Sequence, residues 1–447
     1  MESRLFSNQR LIRLIIPLII EQGLTILVGM CDGVMVSSVG EAAISGVSLV
    51  DMINAVILVL FAALATGGAV VTSQFLGARQ AEKAQQSAGQ LVLMAGGLGT
   101  VAMLLCLVFA RGLMRLFFGS IDADVMEAGL IYLRITALSF PFIALYNAGA
   151  AIFRSVGNSR VSMQVSLLMN AINVIGNAIC IFGLKMGVAG VAIPTLVSRF
   201  VAAILILYLA AKPRQEVYLQ RNAVARVEKR MMHSILRIGI PSACENSIFQ
   251  LGRLVVVSMI ALFGTTQTSA NAVANTLDSV GCVIGNAMGL AMVTVIGQCV
   301  GAQDVAQVKY YVKKLMGWTY LLQGLSNVLI LLFLDTLVGF YSSLTPETVA
   351  LAKTLILIHA SAAILLWPAS FVLPNALRAA NDVKFTLYVG VGSMVAFRVL
   401  GSWILCVRLG MGAIGVWIAM LVDWVCRISF FLPRMLSGKW QTKYHAE

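Results

Sequence analysis

Long apolar runs separated by short polar stretches set the pattern of this chain, and they recur about twelve times. Six lie near 11–36, 45–73, 89–110, 125–153, 162–184 and 188–210. Six more lie near 235–262, 269–297, 313–334, 348–374, 386–408 and 412–433. Each is long enough to cross ~30 Å of hydrocarbon as a helix. Lipid offers no partners to backbone N–H and C=O groups, so helix is the state predicted for every run.

The pattern falls on itself when shifted by 224 residues. Pro17 and Glu21 meet Pro241 and Glu245, Gly40 meets Gly264, Gln74 and Gly77 meet Gln298 and Gly301, and Arg154 meets Arg378. An even number of spans per copy sends both copies into the membrane in the same direction, so their axis lies along the membrane normal. The predicted fold is an all-α integral membrane protein of twelve transmembrane helices in two six-helix lobes related by a pseudo-two-fold axis. The N-terminal lobe covers 1–210, a basic cytoplasmic linker 211–234, and the C-terminal lobe 235–447 with a short cytoplasmic tail. In an apolar chain such an internal axis points to a transporter whose halves move against each other.

Composition agrees: 59% of residues are hydrophobic and only 11% charged, which excludes an ordinary soluble domain. The net charge of +13 is a topology signal, not a nucleic-acid footprint. With the N-terminus inside, 22 of the 32 Lys and Arg fall in inside segments and four outside, which places both termini in the cytoplasm. The linker reads as a basic amphipathic helix over 217–232 lying on the anionic leaflet, or as a solvated tether. No Gly-rich phosphate loop occurs, so nucleotide bound to this chain is not the energy source. The first span carries Glu21 and Asp32 and is too long for a cleaved signal. Eight cysteines show no paired spacing, which argues against a disulfide framework or a cysteine metal site.

An ionisable residue inside a bilayer costs about 2.5–3.5 kcal/mol even on a mild scale, so each needs a reason. Counting residues from the hairpin turns puts Arg398 level with Asp423, and Arg253 level with Asp278, as structural ion pairs. Asp32 and Asp51 share a level on the first two spans with no Lys or Arg beside them there. Asn54 lies three residues from Asp51 on one face, and Glu21 shares a face with Asp32 about 16 Å away. Unpaired acids in an apolar cavity hold protons or a cation, so Asp32, Asp51, Glu21 and Asn54 are candidate coupling groups, with Na+ at Asp32 and Asp51 one form of that chemistry. Arg134 and Arg199 are the cations that would spoil this reading. Asn170, Asn173 and Asn177 form one helical stripe: glue for Asn170, glue or cavity lining for the other two. Glu245 is a second ion site, a substrate contact or a hydrogen-bonded structural group. Asp278 shares the first two of those roles as an alternative to its pair. His359 reads as a packing residue. Pro17, Pro141, Pro194, Pro241, Pro368 and Pro374 bend their spans.

These residues resemble the multidrug and toxic compound extrusion (MATE) family over essentially the whole chain. The carriers are Pro17, Asp32-Gly33, Gly40, Gln74 with Gly77-Ala78, the turn Arg154…Gly157-Asn158 with its copy Arg378…Asn381-Asp382, and Gly187…Gly190 with Gly412…Gly415. The resemblance implies an antiporter that expels organic, often cationic compounds in exchange for sodium or protons, alternating between two lobe arrangements. It puts Asp32 at the family's first-helix coupling acid. Asn177 stands where many members carry Asp, and the tenth span lacks the acid of some sodium-coupled members, which shifts weight onto Glu21, Asp32 and Asp51.

The expected function is therefore export of small amphipathic or cationic compounds, with H+ or Na+ as coupling ion and no other cofactor. The expected partners are the small-molecule substrate and the lipid bilayer, with no nucleic acid, in a plasma or inner membrane, as a monomer. A lipid-linked oligosaccharide flippase of the same superfamily is the alternative. A membrane-embedded enzyme lacks a catalytic set: the chain has three His and no His-Glu-x-x-His.

Overall fold

The computed structural model describes residues 4–119, 122–213, 216–341 and 344–443, and among them every regular element is a helix. The first helices are α1 (Asn8–Ser37), α2 (Glu41–Gly77), α3 (Ala81–Phe118), α4 (Ala123–Leu138), α5 (Phe140–Ser155), α6 (Ser159–Ala178) and α7 (Ala189–Ala210). A short α8 (Arg221–Ala225) precedes α9 (Lys229–Ala261), α10 (Thr265–Gly301), α11 (Val305–Leu332), α12 (Leu334–Gly339) and α13 (Pro346–Leu365). Then come α14 (Leu373–Ala379), α15 (Val383–Ser393), the three-residue α16 (Leu400–Ser402) between π-helical turns, and α17 (Gly412–Leu436).

Ten of these segments are long and apolar enough to cross a membrane, and α4 with α5 forms an eleventh, bent by 46°. The bend falls at Ser139, just before Pro141, whose ring cannot continue the preceding helical ladder. The seventh predicted run is helical within α9, but Glu245, Asn246, Gln250 and Arg253 make it more polar than the rest.

The 224-residue offset governs helix ends as well as residue types. α2 and α10 are both 37 residues long and start at 41 and 265; α3 and α11 start at 81 and 305, and α6 and α15 at 159 and 383. The turns repeat too: Arg79 and Gln303 both adopt φ 58°, and Gly157 (φ 81°) corresponds to Asn381 (φ 64°). Left-handed turns favour Gly and Asn, which is why the motif that follows Arg154 and Arg378 keeps one or the other there.

The described residues form two compact units, Ser7–Ala243 and the stretch from Cys244 to 443, and residues 4–6 belong to the second. The backbone N–H groups of Leu5 and Phe6 donate to Gln307 Oε1 and Tyr311 Oη, both at 2.9 Å. In the first unit a core of Val36, Val47, Val50, Ile53, Met114, Leu133 and Val191 packs α1, α2, α3, α4 and α7 together.

The linker departs from expectation. The predicted helix over 217–232 is broken: α8 ends at Ala225, and α9 begins at Lys229. Gln90 of α3 sets the break, donating to Ala223 O (2.8 Å) and Arg226 O (2.6 Å) and accepting from Glu228 N (3.0 Å). Gln85 adds a bond to Glu216 O, and its Oε1 accepts from Gln220 Nε2 at 2.6 Å. The linker is docked on α3 and is not a free tether. Arg214 lies outside the described residues.

Candidate functional site

Asp32 of α1 and Asp51 of α2 stand within Coulombic reach of each other, as the level count predicts. Asn177 of α6 donates to Asp32 Oδ1 at 2.7 Å and to Asn173 Oδ1 at 3.4 Å, and Asn173 donates to Thr195 Oγ1 of α7 at 2.9 Å. Tyr132 of α4 and Asn54 turn toward Asp51. Asn54, Asn173 and Asn177 are buried, Asp32 is half-buried and Asp51 is exposed. Five helices thus converge on two carboxylates, and the Asn stripe is one wall of the site.

No Lys or Arg forms an ion pair with either aspartate among the described residues. Arg199 is near enough to both to act on them through space, but its Nη1 donates to Ser139 Oγ at 2.8 Å. Arg134 makes no ion pair among the described residues. The side-chain oxygens of Asn54 and Asn177 are buried and have no hydrogen-bond partner. Two carboxylates and two unpartnered carbonyl oxygens form a hard-oxygen donor set, suited to a proton or to a small hard cation such as Na+. Asn170 turns away and donates to Ser166 Oγ on its own helix, so it is not interhelical glue.

Glu21 does not join this site. Its carboxylate accepts from Ser162 Oγ (3.0 Å) and Tyr146 Oη (3.3 Å) and lies 3.7 Å from Arg154 Nη1. Three helical turns carry it away from Asp32 to the end of α5, where Arg154 reaches back. Glu245 is likewise paired, 2.7 Å from Arg378 Nη2 at the end of α14. The repeat that relates Glu21 to Glu245 also relates Arg154 to Arg378, so each copy builds the same acid–arginine tie. Shared offsets of two acids and two arginines carry that signal in the sequence; depth counting on hairpins missed it because the arginines sit at helix ends on a third element.

Asp423 lies 3.8 Å from its expected partner Arg398 Nη1, and Arg427 Nε, one turn along the same helix, lies closer at 3.2 Å and is held by Gly390 O. The Arg253–Asp278 pair is not formed. Asp278 Oδ1 instead lies 2.6 Å from His359 Nε2 of α13 and accepts from Cys282 Sγ at 3.2 Å. Arg253 of α9 acts on Asp278 only through space, and the direct contacts of Asp278 are with α13 and its own helix. His359 is a buried packing residue, as expected, and also a partner of Asp278.

The profile of the MatE family matches residues 17–179 and again 241–404, both starting 224 residues apart. The chain belongs to the MatE family. It is 29% identical to the uncharacterized transporter YisQ of Bacillus subtilis over 96% of this chain and 94% of that protein. It is 25% identical to the probable multidrug resistance protein NorM of Thermotoga maritima, over 98% and 94%. Among solved structures, MATE in complex with MaL6 superposes with a TM-score of 0.90 at 21% identity, covering 97% of each chain. A MOP superfamily transporter from Pyrococcus furiosus superposes at 0.87 and 21%, over 98% and 97%. The fold is that of MATE transporters, so the chain is a multi-span helical membrane protein of a multidrug efflux family. Members of the family are transporters, not enzymes.

Proposed function

We propose that the protein exports small amphipathic or cationic organic compounds in exchange for inward H+ or Na+, the ion being held at Asp32 and Asp51. One observation carries this reading: two neighbouring carboxylates inside apolar helices have hydrogen-bond partners but no paired cation, beside unpartnered oxygens of Asn54 and Asn177. Uncompensated charge in a low-dielectric setting drives uptake of a proton or a cation. Ion occupancy then favours one of two arrangements while substrate favours the other, which is coupling by linkage. In this reading twelve spans form two six-helix lobes, both termini face the cytoplasm of the cell membrane, and one chain suffices. The relatives named as multidrug resistance proteins support the substrate class. A flippase would draw on free arginines, and Arg199 is bonded to Ser139.

The test is export from proteoliposomes with sodium and pH gradients imposed separately. Asp32→Asn keeps the bond from Asn177 to a side-chain oxygen, so the variant should fold and yet lose gradient-driven export. Full coupled export by that variant would sink the assignment.

A further inference from the structure

A second cluster of donors lies in the other compact unit, outside everything the transport reading uses. Asp278 and Cys282 are four residues apart on α10 and share a face, and α13 brings His359 against them. The three donor atoms lie within 4.8 Å of one another. His359 is 2% exposed and Cys282 7%, whereas the Asp278 side chain is 22% exposed and leaves one side open. The imidazole is fixed edge-on against Trp417 (5.6 Å) and Trp424 (5.2 Å), and Trp417 is itself anchored by Asn271 Oδ1 at 2.9 Å.

A simple His–Asp hydrogen bond does not account for this geometry. His359 Nε2 is 2.6 Å from Asp278 Oδ1 yet has no partner in hydrogen-bond geometry, and Cys282 converges on the same oxygen. Further along the same strip of α10, Gly281 and Gly285 make room for Asn327 and Gln323 of α11. Asn327 Oδ1 and both amide atoms of Gln323 are fully buried and unpartnered. Buried polar groups left this way are rare in folded proteins and call for a structural explanation.

We propose that Asp278, Cys282 and His359 form a binding site for one borderline divalent transition-metal ion of the Zn(II) class. Imidazole nitrogen, thiolate sulfur and one carboxylate oxygen are the donors that such an ion selects over Na+, Mg2+ or Ca2+. Around an ion at ~2.0–2.3 Å, tetrahedral donors stand about 3.3–3.5 Å apart. Rotation of Asp278 supplies that opening, because its carboxylate is the exposed member. Binding releases the Cys282 thiol proton to solvent and leaves His359 neutral. The site does not depend on the export reading.

The test is Co(II) titration of the full-length protein in detergent, with exposed Cys31 and Cys244 changed to Ser to remove adventitious thiols. Expected is one Co(II) per chain, a thiolate-to-metal charge-transfer band, and displacement of both by Zn(II). In that background C282S should abolish the band, and H359Q should weaken binding by roughly tenfold or more. C282S preserves side-chain volume, so a monodisperse C282S protein is informative even if H359Q fails to fold. Absence of a stoichiometric band in the parent, or a band unchanged by C282S, would overturn the site.

Discussion

Asp423 and Asp32 both sit in apolar helices, and their surroundings assign them opposite roles. Asp423 is fully buried against Arg427 and Arg398, whose guanidinium groups also lie over Phe249. Asp423→Asn would strand two buried cations, so unfolding in detergent should show a loss of about 3–5 kcal/mol. Asp32→Asn removes no partner's only charge and should cost less than about 1 kcal/mol. Comparable losses in the two variants would contradict this assignment. The Arg398–Asp423 pair was legible because a hairpin of two helices fixes depth. Depth does not fix the direction a side chain faces, and so Asp278 was assigned to Arg253 when a third helix offered His359. The same limit hid Arg154 and Arg378 from Glu21 and Glu245.

Helix position was legible from the apolar runs, and the 224-residue offset carried the helix starts and turns from one copy to the other. α2 and α10 begin after Gly40 and Gly264, both with positive φ, and each runs 37 residues. The linker was not legible, since its break is imposed by Gln90 from a distant helix. A Cβ on Gly89 would come within 2.6 Å of Ala223 backbone atoms, so the close approach of α3 and α8 requires glycine there. Gln90→Ala deletes three hydrogen bonds that hold 223–228 in place. Limited trypsin digestion should then cut at exposed Arg226, Lys229 and Arg230 severalfold faster, with the transmembrane helices intact. Unchanged digestion rates would mean that apolar packing, not Gln90, holds the linker.

At the scale of the whole chain, duplication supplied a scaffold whose copies have diverged in chemistry. Asp32 and Asp51 correspond to Val256 and Asn275, so the coupling candidates belong to one copy, while the acid–arginine tie is present in both. The two ties differ in their surroundings. Glu21 has hydroxyl partners in Ser162 and Tyr146, and Arg154 stands off at 3.7 Å. Glu245 depends on the 2.7 Å contact with Arg378, and its carboxyl lies against Gly390, which occupies the position of Ser166 in the first copy. A Cβ at 390 would fall 2.5 Å from Glu245 Oε1 and 2.8 Å from its Cδ. Gly390→Ser, which grafts the first-copy residue, must therefore push the carboxylate away from Arg378. Glu245→Gln should destabilise by about 3 kcal/mol or more, and Glu21→Gln by about 1–2 kcal/mol, because the amide oxygen still accepts from one of its two hydroxyl partners and the other hydroxyl can turn to accept from the amide NH2. Combining Gly390→Ser with Glu245→Gln should cost clearly less than the sum of the two, since both act on one ion pair. Thermal unfolding of the four variants and the unmodified protein measures each term. Strict additivity would show that Gly390 serves helix packing alone, and equal losses at Glu21 and Glu245 would show that the two copies still share one energetic design.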